Sequence, residues 1–299
     1  MTNDSDSQTS LPANFSQIDV NEESVISSEA GGHFTPDDPP WGVLQAFLTW
    51  LLSVFLLFLP QLFALPYVAV RYQGERPTIE MLLADKTFIL IIITGILPAH
   101  LLTLGVAWAV VTRFGRLSAA QVLGWSWPRN FRIWHSVGLA ILMFMLAGVI
   151  IYKFGGQETD LERILQSSRT AALITAFIAV ATAPLVEEVI YRGLLYSAVQ
   201  RVFGQFGAVV IVAAAFAALH VLQYWPNAGA IGAIALLSVV LTVVRARTGR
   251  LLPAFVIHTT FNGIQSIIIV VDPYLRPILD SWSRRSSTGL IAFFAGFLR

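Results

Sequence analysis

Seven long apolar runs constrain this chain more than any other feature: residues 43–70, 88–111, 136–152, 171–199, 207–222, 229–244 and 251–271. Several reach the ~20 residues with which a helix crosses the hydrocarbon core of a bilayer. In lipid, every backbone N–H and C=O needs a partner inside the protein, and a helix supplies one within the same segment. The expectation is therefore an all-α, multi-pass transmembrane helical bundle of about 7–8 helices. The eighth candidate is a shorter apolar run, 290–298, which would lie on the surface or pack against the bundle. Composition agrees: 56% of the 299 residues are hydrophobic and 12% charged, roughly half the charged fraction of a soluble domain.

The same numbers exclude several functions. There are no cysteines, which removes disulfides, thiolate metal ligands and a cysteine nucleophile. The net charge is +1 and no basic run offers a phosphate track, so nucleic acid is not a partner.

Residues 1–40 are different in kind. They carry eight Asp and Glu but no Lys or Arg, amid Ser, Thr, Asn, Gly and Pro. Such a segment cannot bury enough apolar surface to offset its ordering entropy, so a disordered, solubilising acidic tail is expected. Lacking a positive first region, it is not a secretory signal. Residues 41–299 are then the transmembrane bundle. The loop after the second run holds Arg113, Arg116, Arg129 and Arg132, and the loop after the sixth holds Arg245, Arg247 and Arg250. Alternating spans put these loops and the tail on one side, which the bias of Lys and Arg makes the cytoplasm. Trp125, Trp127 and Trp134 flank the first of these loops as interfacial anchors would. The slightly basic segment 272–287 runs against the scheme. Ala- and Val-rich spans without cysteine suit a bacterial plasma membrane.

Charge inside an apolar run is expensive and marks a site. The fourth run contains Glu187-Glu188-Val189-Ile190-Tyr191-Arg192. On a helix, Glu188 and Arg192 share a face and can pair. Glu187 lies about 100° round and stays free for chemistry. His220 is the one polar residue between Gln205 and Gln223 in the fifth run. In the seventh, His258 and Asn262 share a face, extended by Gln265 and Ser266. His100, beside Pro98 in the second run, has no polar helical partner and reads as structural or as a hydrogen bond at a kink. A Glu, two His and an Asn from three spans suit hydrolysis. A carboxylate can take a proton from water, imidazoles can orient the water or bind a metal, and an Asn can donate to an oxyanion. The His-Glu-x-x-His zinc helix is absent.

Glu187-Glu188-x-x-x-Arg192, Phe216-x-x-x-His220 and His258-x-x-x-Asn262, in this order and each in an apolar run, resemble the CPBP intramembrane protease family. That family holds the Rce1-type CAAX-processing endopeptidases and the bacterial Abi and bacteriocin-immunity proteins. The resemblance covers about residues 165–271. It implies a site inside the membrane, open toward the cytoplasm. Glu187 would activate water with His220, Glu188 would pair with Arg192, and His258 and Asn262 would stabilise the oxyanion or complete a metal site. Zinc held by Glu187, His220 and His258 is the cofactor this implies if the chemistry is metal-dependent; the alternative is a glutamate-dependent peptidase without cofactor. The implied partners are the lipid bilayer and a membrane-associated or lipidated protein or peptide. In a bacterium a prenylated terminus is a poorer fit than a peptide, pheromone, bacteriocin or membrane-protein terminus.

Two other classes use similar residues. A transporter could run ions along buried ionisable groups, but those groups fall in the fourth, fifth and seventh runs with no counterpart in the first three. A silent scaffold has no use for such costly residues.

Overall fold

The computed structural model describes residues 34–155 and 159–283. The first 33 residues of the acidic tail and the run 290–298 lie outside the described residues. Within them the chain is helical, and no strand forms beyond an isolated bridge between Thr35 and Asp38.

The first span is broken. Helix α1 (Val43–Leu56) stops, and α2 (Leu59–Arg71) restarts with Pro60 in its first turn. Proline has no N–H to give the preceding turn but fits a helix start, so it places the break at Leu57–Phe58. Short α3 (Ile79–Ala84) leads into α4 (Lys86–Thr112). Asp85 caps α4 by accepting from the N–H groups of Thr87 and Phe88 at 2.9 and 3.2 Å. Its carboxylate also accepts from the Tyr67 and Tyr72 hydroxyls at 2.8 and 3.1 Å, tying α2 to α4. Gly95 makes the two helices' approach possible, since a Cβ there would lie 2.9 Å from Pro60 Cα. After α5 (Ala119–Val122) come α6 (Ile133–Phe154) and α7 (Asp160–Ser167).

The next element is one long apolar helix, Arg169–Tyr224, among six in the described residues that are long and apolar enough to cross a membrane. It comprises α8 (Arg169–Phe177), a π-helical turn at Ile178–Thr182, α9 (Ala183–Glu187), a second π-helical segment at Glu188–Leu195, and α10 (Tyr196–Tyr224). Gly204, at φ 69°, breaks α10 in a conformation that favours glycine. The chain doubles back there, because Tyr191 before the break meets Phe216 after it with ring centroids 5.1 Å apart. This helix therefore supplies both the fourth and the fifth run. The bundle closes with α11 (Ala228–Thr248) and α12 (Leu252–Ser283).

Two clusters hold the helices together. One joins Ala140, Met143 and Ala147 of α6 to Ala233, Leu237 and Leu241 of α11 and Ala254, Ile257 and Phe261 of α12. Small residues recur at these crossings because between lipid-embedded helices close backbone packing replaces the hydrophobic effect. Gly229 is the extreme case: a Cβ would come within 2.7 Å of the Gly155 nitrogen. The other cluster joins Ile89 and Ile93 of α4 to Ala171 of α8 and Ile178.

One end of the bundle gathers the basic loops. Leu251 N–H donates to Gly124 C=O at 3.0 Å, and Gln205 Nε2 to Ala246 C=O at 2.9 Å. Residues 35–41, mostly read from sequence as the end of the disordered tail, are folded onto this end. Arg245, 1% exposed, pairs with Asp37 at 2.8 Å and donates to Pro36 C=O. Arg201 pairs with Asp38, Arg113 donates to Pro40 C=O, and Trp41 Nε1 donates to Leu194 C=O. The buried guanidinium of Arg245 finds partners in this strap and the strap's Trp41 indole finds its partner on the bundle, which explains why an acidic, turn-rich stretch is ordered here.

Candidate active site

The site is built on the two irregular turns of the Arg169–Tyr224 helix. Glu188 and Arg192 are both fully buried and pair at 3.1 Å, as their spacing predicts. Such a pair is costly in an apolar bundle, and further hydrogen bonds to its polar atoms offset that cost. Arg192 Nη2 donates to Ser238 Oγ and C=O at 2.9 and 3.1 Å, and Nε to Thr242 Oγ1 at 3.3 Å. The guanidinium also lies 4.5 Å from the Phe216 ring centroid, a cation–π contact. Glu188 Oε1 carries a second bond, from His258 Nδ1 at 2.8 Å, while Oε2 has no partner among the described residues.

Glu187 turns away from this pair. Its side chain keeps 24% exposure and lines a cavity of about 150 Å³ with His220, His100, Tyr191, Gln223 and Ser53. His258 stands behind it, with Nε2 3.6 Å from Glu187 Oε2. That is ion-pair distance rather than a hydrogen bond.

Hydrogen-bond partners fix the histidine tautomers. His220 Nδ1 is 2.8 Å from Phe216 C=O, which can only accept, so Nδ1 carries the proton and Nε2 is the basic nitrogen. His258 Nδ1 likewise faces a carboxylate already engaged by Arg192. Phe216 supports both rings: it stacks on His220 at 4.4 Å and meets His258 edge-on at 6.1 Å. The phenylalanine of Phe216-x-x-x-His220 is thus a platform for two imidazoles, an arginine and Tyr191.

All six sequence-predicted residues come from neighbouring elements, but they do not form one open cluster. Glu187 and His220 line the cavity. Glu188, Arg192 and His258 form a buried layer beside it. Asn262 donates to Ala179 C=O at 2.9 Å, tying α12 to the first π-helical turn. Neither His258 nor Asn262 is among the described residues lining the cavity.

Sequence reasoning missed four contributors. Ser238 and Thr242 receive Arg192, and their spacing of four in an otherwise apolar run was a legible polar stripe. Tyr191 lay inside the first motif but was assigned nothing. His100 is the largest difference: it joins the cavity wall from α4, with Nδ1 2.8 Å from Thr182 Oγ1. Its partner is in another helix, so no spacing rule could find it.

The geometry does not fit the metal set expected from sequence. Among the described residues no group of three or more His, Asp or Glu is placed to hold a metal ion. His258 offers its Nδ1 to Glu188, and Phe216 stands against both His220 and His258.

Fold and site together define an integral membrane protein with a carboxylate–imidazole centre inside its helical bundle. Residues 169–264 match the model of a family described as type II CAAX prenyl endopeptidase Rce1-like. The match begins with α8 and ends just beyond Asn262, so it contains all three motifs, and this is the family the motifs resemble. No curated protein and no solved structure matches the chain.

Proposed function

We propose that this protein is an intramembrane endopeptidase of the CAAX-protease and Abi kind, hydrolysing a peptide bond in a membrane-associated or lipidated protein or peptide. The observation that carries the reading is the division of labour between adjacent glutamates. Glu188 is neutralised by Arg192 at 3.1 Å, while Glu187 faces a cavity shared with His220. A carboxylate held there can take a proton from a bound water as that water attacks a carbonyl carbon. His220 Nε2, the ring's basic nitrogen, orients the same water. His258 keeps Glu187 and Glu188 in place, and with Asn262 it is the candidate donor to the oxyanion, a role that needs a proton on its Nε2 because Nδ1 is given to Glu188. Asn262 would have to leave Ala179 C=O to act so.

Bound zinc would polarise the carbonyl or the water. The residues present do not form its site, and no step here depends on it. The basic end of the bundle is assigned to the cytoplasm, with the amino terminus on the same side. The family match favours a CAAX-type carboxyl terminus as substrate. If the protein is bacterial, a membrane peptide or membrane-protein terminus fits better.

The test compares new protein termini in membranes of cells expressing wild type or Glu187→Gln. Termini made only by wild type identify both the reaction and its substrates. Equal sets, with both proteins folded and abundant, would turn the reading toward an ion pathway or a scaffold, and ion flux in vesicles would then be measured.

A further inference from the structure

We infer that His100 is the group that protonates the leaving amine, a role resting on the endopeptidase reading above. His100 comes from α4, outside the matched segment 169–264 and outside all three motifs. It is 7% exposed and lines the same cavity as Glu187 and His220.

Its ring is held in one orientation. Thr182 Oγ1 stands 2.8 Å from His100 Nδ1 and 3.4 Å from Ile178 C=O, so it can accept from Nδ1–H while its own proton points to that carbonyl. Nε2 is left as the nitrogen that gains and loses a proton, and it has no hydrogen-bond partner among the described residues. In a cavity wall such a nitrogen can be met by water or by a bound ligand. In the wall of a cavity that receives a peptide it has a use. The other titratable groups of the cavity are Glu187, His220 and Tyr191. Of these His220 rests on Phe216 and is committed to the water, so a second imidazole is available for the amine.

The step balances. The water oxygen bonds to the carbonyl carbon, one water proton goes to the Glu187 carboxylate, and the carbonyl π pair moves to oxygen. That pair then re-forms C=O as the C–N bond breaks, its electrons going to nitrogen. The proton taken by Glu187 passes to His100 Nε2, and His100 gives it to the leaving nitrogen, so both groups return to their starting state. The sum is water plus amide giving acid plus amine.

The test uses full-length protein in vesicles and a synthetic peptide spanning a cleavage site found by the terminus comparison. The peptide carries either its scissile amide or a thioester in its place. A thiolate leaves without needing a proton, since a thiol is acidic near pH 8.5. In His100→Gln the side-chain amide can still donate to Thr182. The expected result is amide turnover lower by about a hundredfold or more, with thioester turnover within about threefold of wild type. Equal losses on both substrates, or no loss on the amide, would overturn the role. Thr182→Val, which removes only the partner of Nδ1, should lower amide turnover more than thioester turnover, and an equal effect also counts against the proposal. Wild type that cleaves neither substrate would bring down the endopeptidase reading itself, a result distinct from any outcome in the variants.

Discussion

Arg245 and Asp37 are joined at 2.8 Å across 208 residues of sequence, the arginine buried and the aspartate at the surface. The guanidinium also lies 5.1 Å from the Tyr196 ring, so the strap's carboxylate is coupled to the helix that continues from the site. Losing one partner of a buried ion leaves the other uncompensated. Because Asp37 is 59% exposed, water can replace part of what it supplies. Asp37→Ala should therefore destabilise the detergent-solubilised protein by about 1–2 kcal/mol. Asp38→Ala, which removes an exposed pair with Arg201, should change stability by about 0–1 kcal/mol. Thermal unfolding of both variants checks the order, and equal effects would separate the strap from the burial of Arg245.

The two glutamates should respond in opposite ways. Glu188→Ala strands Arg192 in an apolar layer and should cost about 3–5 kcal/mol of stability. Glu187→Gln should leave the unfolding temperature near wild type and abolish cleavage. A stable, inactive Glu188→Ala beside an active Glu187→Gln would exchange the two assignments.

Asn262→Ala separates two uses of one amide. As an oxyanion donor, Asn262 should be worth about a hundredfold in turnover with little change in KM. That is the expected result. A variant whose only defect is a lower unfolding temperature would leave Asn262 as the tie between α12 and the turn at Ala179.

Asp85 gives a pH dependence. Desolvation pushes its carboxyl up, but hydrogen bonds from Tyr67, Phe88 N–H, Tyr72 and Thr87 N–H outweigh it and hold the group below its ordinary value of 3.8. A depressed folded value means that Asp85 stabilises the fold above the ordinary value and stops doing so as the pH falls through the folded one. Unfolding temperature should therefore drop on acidification below about pH 4, and Asp85→Asn should flatten that part of the profile. An unchanged slope in the variant would assign the acid sensitivity elsewhere.

What sequence could reveal followed from periodicity. The apolar runs announced the helices, because lipid forces each backbone group to find its partner nearby. The pairing of Glu188 with Arg192 was legible because both lie on one helix, even though the local backbone is π-helical. What escaped is long-range. His100 and Thr182 are 82 residues apart, and Asp37 and Arg245 are 208 apart. Each member looks unpaired on its own segment. His100 therefore read as a structural oddity, and residues 35–40 as part of a solvated tail. The break at Leu57–Phe58 was hidden for another reason: a proline in an apolar run signals a kink, not what the kink opens onto. Here Ser53, Val54, Leu56 and Leu57, at and just before the break, form part of the cavity wall.

The reversal at Gly204 makes sequence length itself a functional quantity. Glu187 lies 17 residues before the glycine and His220 16 residues after it, so the two arms of the hairpin are matched to within one residue. One residue inserted into either arm would turn everything beyond it by about 100° and shift it by about 1.5 Å. His220 would then leave the cavity without any motif residue being altered. The interval between the two motifs behaves as a ruler, and two membrane passes can be out of phase while every letter of both motifs remains in place.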